Sequence, residues 1–289
     1  MVDTLSLEGK VAIITGSGRE TGIGAATAAA LARNGASVTI NYVSDATAPR
    51  AANVVKSIQE AGGKAIAVRA DVTKPAEAKR LVEETLKGFN TDKIDILSEY
   101  PRRILDDVKG LGLLEAFNNA GAVYGGPKLM EVTPEEIDAT FATSVRGPIL
   151  LMQATVPHMP RFGRIINISS VASRPITLEG VALYGGGKAA MDQITFAVAA
   201  EGSADVHMQL GKNGKNITVN TVAPGITTTD ILSPEAMDAF DKALTPMAKV
   251  EDRPGHPNDI ADTILLLVQE KSRWITGQYI SCSGGITGN

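Results

Sequence analysis

Short apolar runs alternate with alanine-rich or amphipathic stretches along the chain. This is the pattern of strands covered on both faces and joined by helices. Val11 to Ile14 is wholly apolar and predicts a strand, the alanine-rich segment from about Ile23 to Arg33 predicts a helix, and Ser37 to Asn41 predicts a second strand. A further strand is expected at Ala65 to Ala70. Two segments then compete for the next one, Lys93 to Leu97 (KIDIL) and Leu113 to Phe117 (LLEAF). A proline start and the ILDDV periodicity predict a helix over Pro101 to Lys109. A short helix is expected at Pro234 to Ala243. No Pro/Ser-rich linker or low-complexity tract interrupts the series, so residues 1–289 read as one α/β domain with a doubly wound parallel sheet.

The link between the first strand and helix holds Gly16, Gly18, Gly22 and Gly24. Glycine permits a tight turn and lets a pyrophosphate approach backbone amides at a helix N-terminus, where the macrodipole favours anions. A glycine cluster alone is weak. Placed between a strand and a helix that leads to a second strand, it meets the context of a dinucleotide fingerprint.

Tyr184 and Lys188 lie four apart in YGGGK, downstream of Ser169 and Ser170. On a helix that spacing puts an ammonium and a phenol on one face, which favours the phenolate and makes the tyrosine a usable acid near neutral pH. A hydroxyl at Ser170 suits donation to a substrate oxygen as charge develops there. An isolated Tyr-x-x-x-Lys is far more often a half-buried tyrosine beside a snorkelling lysine. The glycine turn and the serine pair favour the chemical reading. Three glycines between the two residues each cost a helix interior roughly 1 kcal/mol relative to alanine, which points to close packing on that face or simply to an unusual sequence.

Together these motifs resemble the short-chain dehydrogenase/reductase family, over nearly the whole chain. The glycine motif of that family resembles Thr15, Gly16, Gly22, Ile23 and Gly24, and its adenine-side pair resembles Asp71 and Val72. NNAG matches Asn118, Asn119, Ala120 and Gly121, the catalytic serine matches Ser170, and the tyrosine and lysine match Tyr184 and Lys188. The nicotinamide-side motif resembles Pro224 and Gly225, followed by Ile226, Thr227 and Thr229, and GQYISCSGG resembles the last strand. The resemblance implies a Rossmann fold of about seven strands with helices on both faces. It also implies hydride transfer between a nicotinamide and a carbonyl or carbinol carbon, with Tyr184 moving the proton on oxygen. Ser170 would polarise that oxygen. Lys188 would hold the nicotinamide ribose and lower the tyrosine pKa. Asp71 would bind the adenine amino group, and Asn118, Ala120 and Gly121 would line the middle of the cofactor.

The chain departs from the family pattern in four places. The glycine motif is two residues longer, with Gly18 to Thr21 in the link. Ser144 stands where the family has a helix-borne asparagine that holds the relay water, and a serine lacks the amide's paired donor and acceptor. Adjacency to NNAG favours Leu113 to Phe117 as the strand, which makes about 88–112 an insertion containing KIDIL. A second insertion is expected at about Gly202 to Gln209.

NAD-preferring members place an acid at the end of the second strand, where Asn41, Tyr42, Val43 and Ser44 have none. Asn41 and Ser44 are hydrogen-bond donors, and Arg19 in the glycine turn suits a phosphate. NADP(H) is therefore expected over NAD(H), with Ser17 and Tyr42 also beside the cofactor. The segment from Ile226 to Val250 is the expected substrate lid. Its helix carries Met237, Phe240 and Leu244 and no basic group that stands out, which suggests a neutral, fairly apolar ketone or alcohol.

Composition sets bounds on the rest. Of 289 residues, 44% are hydrophobic, enough for a large core, and no apolar run approaches the roughly 18 residues of a membrane span. The first residues carry no basic-then-apolar signal, so a cytoplasmic location is expected. A net charge of -4 argues against nucleic acid as a partner. The single cysteine, Cys282, excludes an internal disulfide and reads as a small buried strand residue. His158, His207 and His256 lack ligand spacing, so no metal is expected, and His256 is placed in a turn before the final helix. Trp274 is expected to pack, either within the chain or at a subunit contact, and a homodimer or homotetramer follows by analogy. Two alternatives to the reductase stay open: a dehydratase- or cyclase-like enzyme that uses the cofactor structurally, and a nucleotide-sensing binding protein.

Overall fold

The computed structural model describes residues 6–100, 128–174, 180–201, 214–230 and 234–287. Seven parallel strands form one sheet: β1 (Val11–Ile14), β2 (Ser37–Tyr42), β3 (Lys64–Arg69), β4 (Ile96–Glu99), β5 (Arg164–Ile168), β6 (Thr218–Pro224) and β7 (Tyr279–Cys282). Their order is β3-β2-β1-β4-β5-β6-β7. The helices are α1 (Ile23–Arg33), α2 (Ala48–Glu60), α3 (Pro75–Gly88), α4 (Pro134–Phe141), α5 (Gly147–Thr155), α6 (Ala182–Ala200), α7 (Pro234–Leu244) and α8 (Pro257–Val268).

Strand side chains alternate between two apolar layers. Ala12 and Ile14 of β1 join a core with Leu31 of α1, Val54 of α2 and Ile264 of α8. Val11 and Ile13 join the opposite core with Leu81 of α3, Leu151 of α5 and Met191 of α6. Each fully buried aliphatic side chain contributes about 1.5–3 kcal/mol of transfer free energy. This is the Rossmann arrangement expected from the sequence. Chain order reverses between β1 and β4, which opens a crevice beyond the carboxyl ends of the strands.

The strand beside β1 is the KIDIL candidate, which corrects the choice of Leu113 to Phe117. Ala12 pairs with Ile96 and Ile14 with Ser98, while Ile96 to Glu99 run alongside Arg164 to Asn167. Ile96 faces the first core and Leu97 the second, both almost wholly buried. Asp95 fixes the register by accepting hydrogen bonds from the Val11 amide (3.1 Å) and Lys10 Nζ (3.0 Å). Residues 88–100 thus belong to the sheet frame rather than to an insertion. The helix expected at 101–109, the segment 113–117, the NNAG stretch with Asn118, Ala120 and Gly121, and the second insertion at 202–209 lie outside the described residues.

The helix expected at Pro234 to Ala243 is present as α7, and His256 caps α8. Trp274 is 95% exposed, so it does not pack within the described fold. Cys282 is half-buried in β7, its Sγ 3.1 Å from Thr263 Oγ1. Among the described residues no helix is long and apolar enough to cross a membrane.

Candidate active site

The turn after β1 is built for close approach. Gly16 has φ of +58°, and a Cβ on Gly24 would lie 2.8 Å from the Gly16 carbonyl oxygen and the Ser17 Cα. A Cβ on Gly18 would lie 2.7 Å from Tyr42 Cβ. Gly22 caps α1 and, having no side chain, makes no capping hydrogen bond to the donors of its first turn. Those donors and the glycine cradle fit a dinucleotide pyrophosphate. The two extra residues form a turn closed by the Gly22 amide on the Arg19 carbonyl (3.0 Å). Glu20 reaches from it to Arg50 Nε (2.6 Å) and Asn53 Nδ2 (3.1 Å) on α2.

Two residues expected at the cofactor have side chains bonded within the frame. Ser17 Oγ donates to the Ile14 carbonyl (2.7 Å) and accepts the Asn41 amide (3.0 Å). The Asn41 side chain, 2% exposed, donates to the Val68 and Ala70 carbonyls across the β2–β3 edge. Its amide donors are therefore engaged by the sheet. Ser44 is half-buried with its Oγ 3.2 Å from Thr47 Oγ1. Arg19 and Arg50 stand beside the glycine turn, with Nη1 atoms 3.8 Å and 2.6 Å from Asp230 Oδ2. Asp71 is buried after β3, its Oδ1 accepting from the Thr73 amide and hydroxyl, and Val72 packs in the second core.

At the end of β6, the Gly225 amide donates to the Cys282 carbonyl (3.1 Å), and a Cβ there would meet Ser283 Cβ at 2.9 Å. Thr227 Oγ1 turns back on the Gly225 carbonyl, and Ile226 and Thr228 are tied to Gly255 by backbone bonds. Pro224 through Thr229 is thereby held over the crevice, with Asp230 next in line.

Ser170, Tyr184 and Lys188 meet at the carboxyl end of β5. Ser170 leaves the strand in extended conformation, and its Oγ accepts the Ala172 amide. A Cβ on Gly185 would collide with the Ala172 carbonyl, so glycine there lets α6 close on the serine loop. A Cβ on Gly187 would lie 3.2 Å from Ser144 Cβ, so Ser144 packs directly against the helix that carries the lysine. Ser144 is buried in a π-helical turn, Ala142–Arg146. Gly186 meets nothing within 4 Å, so close packing explains two of the three glycines.

Tyr184 is 41% exposed and open to a substrate, while Lys188 is 2% exposed beneath it. Lys188 Nζ lies 5.7 Å from the tyrosine ring centroid and donates to the Ile168 carbonyl (2.7 Å). Burial lowers the ammonium from 10.5 to about 7, against the opposing pull of Glu99 and Asp192. Burial pushes the Tyr184 phenol up, and a hydrogen bond with Ser170 opposes that shift. Ser170 thus draws the tyrosine down in this geometry, and Lys188 lies below the same ring. A phenol raised in this way is protonated at neutral pH and is a weaker acid than a free one, so giving up its proton requires that the phenolate be stabilised.

A family model described as short chain dehydrogenase matches residues 10–239. The chain belongs to the short-chain dehydrogenase family. Among the relatives of this chain, an uncharacterized oxidoreductase of Methylorubrum extorquens is 36% identical over 97% of this chain and 98% of its own. A hydroxynaphthalene reductase-like protein of Metarhizium acridum is 35% identical over 97% and 96%. A short chain dehydrogenase of Burkholderia cenocepacia, solved in complex with NADP, is 32% identical with a TM-score of 0.77, covering 98% of this chain and 99% of that one.

Four residues of this dehydrogenase's site escaped the sequence reading: Glu99, Asp192, Arg50 and Asp230. Asp192 carried a signal, since it stands one helical turn beyond Lys188. Glu99 carried none, because its place depended on which strand fills the sheet.

Proposed function

We propose that this short-chain dehydrogenase is an NADP(H)-dependent reductase of a neutral, fairly apolar ketone. The observation that carries this reading is the convergence of Ser170, Tyr184 and Lys188 at one strand end, with the tyrosine exposed, protonated and backed by the buried lysine. Gly16, Gly22 and Gly24 would hold the pyrophosphate, Arg19 and Arg50 lie where a ribose phosphate is expected, and Pro224 to Thr229 would cover the nicotinamide end. The nicotinamide supplies the hydride when bound. Ser170 orients the substrate carbonyl and steadies its oxygen as negative charge grows there. Tyr184 gives its hydroxyl proton to that oxygen, and the Lys188 cation below the ring stabilises the phenolate left behind. The hydroxynaphthalene reductase-like relative and the relative in complex with NADP support this choice of reaction and cofactor. Fluorescence titration with NADPH and NADH, followed by absorbance with a panel of ketones, tests it. Tight NADPH binding with ketone-dependent oxidation is expected. Binding with no oxidation by any ketone would overturn the reductase reading.

A further inference from the structure

The buried lysine needs a counter-charge, and the fold supplies one outside the motifs that define the family. Leu97 of β4 packs in the same core as Met191 of α6, and strand alternation puts Glu99 on the same face. Asn167, the register partner of Glu99 on β5, donates to Thr195 Oγ1 on α6 (2.9 Å), so this face of the sheet meets α6. Lys188, Met191 and Thr195 lie at i, i+3 and i+7 along α6, and all are buried. Lys188 Nζ rests on the Ile168 carbonyl, one residue from Asn167. Glu99, like Lys188, is 2% exposed, and its Oε1 has no hydrogen-bond partner among the described residues.

An isolated ion in such a place carries a large desolvation cost, which a facing opposite charge offsets. We propose that Glu99 is a positioning residue for Lys188: the two buried groups share one proton, and Glu99 thereby keeps a cation beneath the Tyr184 ring. This inference rests on the reductase reading for its consequence in catalysis, though not for the shared proton itself. Other groups also face the pair. Asp192 and Tyr184 stand on α6, Tyr100 follows β4 and faces Tyr184, Arg174 reaches Asp192 from the turn after β5, and Ser144 lies against Gly187. Asp192 is the rival counter-charge, and among the groups acting on Lys188 its pull is weaker than that of Glu99.

Glu99→Gln keeps the shape of the side chain and removes the charge. NADPH affinity is expected to hold while kcat falls about tenfold or more, since one lost pKa unit of charge stabilisation is a factor of ten. The limb of the kcat/KM profile that reports the ammonium is expected to move toward acid by about one to three units, with a smaller displacement in Asp192→Asn. An unchanged profile in Glu99→Gln, or a larger displacement in Asp192→Asn, would overturn the assignment. A second readout needs neither cofactor nor turnover. In isotope-edited infrared spectra, the carbonyl band of the protonated Glu99 acid should persist to higher pH in Lys188→Met than in wild type, because the ammonium no longer favours the carboxylate. An unmoved midpoint would refute the shared proton. If wild type reduces no ketone yet the midpoint moves, the reductase reading falls and the Glu99–Lys188 pairing stands.

Discussion

Thr15 and Tyr100 are joined by two hydrogen bonds through a single hydroxyl. Thr15 Oγ1 donates to the Tyr100 carbonyl (2.9 Å) and accepts the Tyr100 amide (2.8 Å), which ties the exit of β4 to the exit of β1. The Tyr100 side chain is thereby laid against Gly16, its Cδ1 within 3.2 Å of the position a Cβ would take. Thr15 is 1% exposed, so Thr15→Val leaves both backbone groups without that partner in a buried setting. A loss of about 1–3 kcal/mol in urea unfolding is expected, with Thr15→Ser near wild type. Equal stability of the valine and serine variants would show that the bonds contribute nothing net.

The three glycines of α6 separate into two roles. Alanine at 185 must displace the Ala172 carbonyl and with it the loop of Ser170, and alanine at 187 presses on Ser144. Alanine at 186 meets nothing within 4 Å. Gly186→Ala is therefore expected to stabilise the fold by about 0.5–1 kcal/mol through helix propensity. Gly185→Ala is expected to lower both stability and kcat. Thermal unfolding and initial rates on the three single variants check this order, and equal effects at 185 and 186 would contradict it.

The frame of this molecule was legible in the sequence because burial on both faces writes a strand as an apolar run, as in Val11 to Ile14, and because glycines mark a turn that no other residue can make. Ser170, Tyr184 and Lys188 were legible for a similar reason, since helical spacing and strand ends bring them together. β4 was misplaced because KIDIL and LLEAF are both short apolar segments, and only pairing in the sheet distinguishes them. The bracing role of the Asn41 and Ser17 side chains was not legible, because a polar side chain at a strand end can face a ligand or brace its own backbone, and sequence does not give its direction. Glu99 depended on both unknowns at once.

Tyr184→Phe removes the ionisable hydroxyl of the exposed ring and leaves its packing in place. Turnover is expected to fall by at least two to four orders of magnitude, the usual contribution of a positioned acid, with NADPH affinity unchanged. Rapid-reaction and equilibrium titrations on the same preparation separate the two. Residual turnover within tenfold of wild type would remove Tyr184 from the role of acid.

Lys188 should leave a pH signature in stability. Burial drops its ammonium from 10.5 to about 7, so between those values the unfolded chain holds a proton that the folded chain has released. Unfolding then takes up a proton, and raising the pH through this window stabilises the fold; below about 7 both states are protonated and the burial cost is largest. Glu99 acts in the opposite sense, because burial pushes its carboxyl up and its contribution fades as pH rises. Lys188→Met retains Glu99 and removes only the lysine. The slope of unfolding free energy against pH above neutrality is expected to be more positive in wild type than in Lys188→Met, as read by urea titrations. Identical slopes would mean that the amine titrates at its ordinary value.

On the NADP(H) reading, Arg50 is expected to discriminate between the two nicotinamide cofactors. Its guanidinium is divided between Asp230 Oδ2 and Glu20 Oε2, each at 2.6 Å, with Arg19 at 3.8 Å from the same Asp230 oxygen. All four side chains are partly exposed, so each pair contributes only about 0–1 kcal/mol and yields readily to a stronger anion. A ribose phosphate carries more charge than a carboxylate and accepts from a guanidinium in two-pronged geometry. Arg50→Gln is therefore expected to weaken NADPH binding by about tenfold or more, as for a lost hydrogen bond to a charged group, and to leave NADH binding unaltered. Asp230→Asn should do the reverse and tighten NADPH, because it removes a like charge from beside the phosphate. Fluorescence titrations of both variants with both cofactors give the four affinities. A parallel loss of NADPH and NADH affinity in Arg50→Gln would mean that the guanidinium braces the glycine turn and does not read the phosphate.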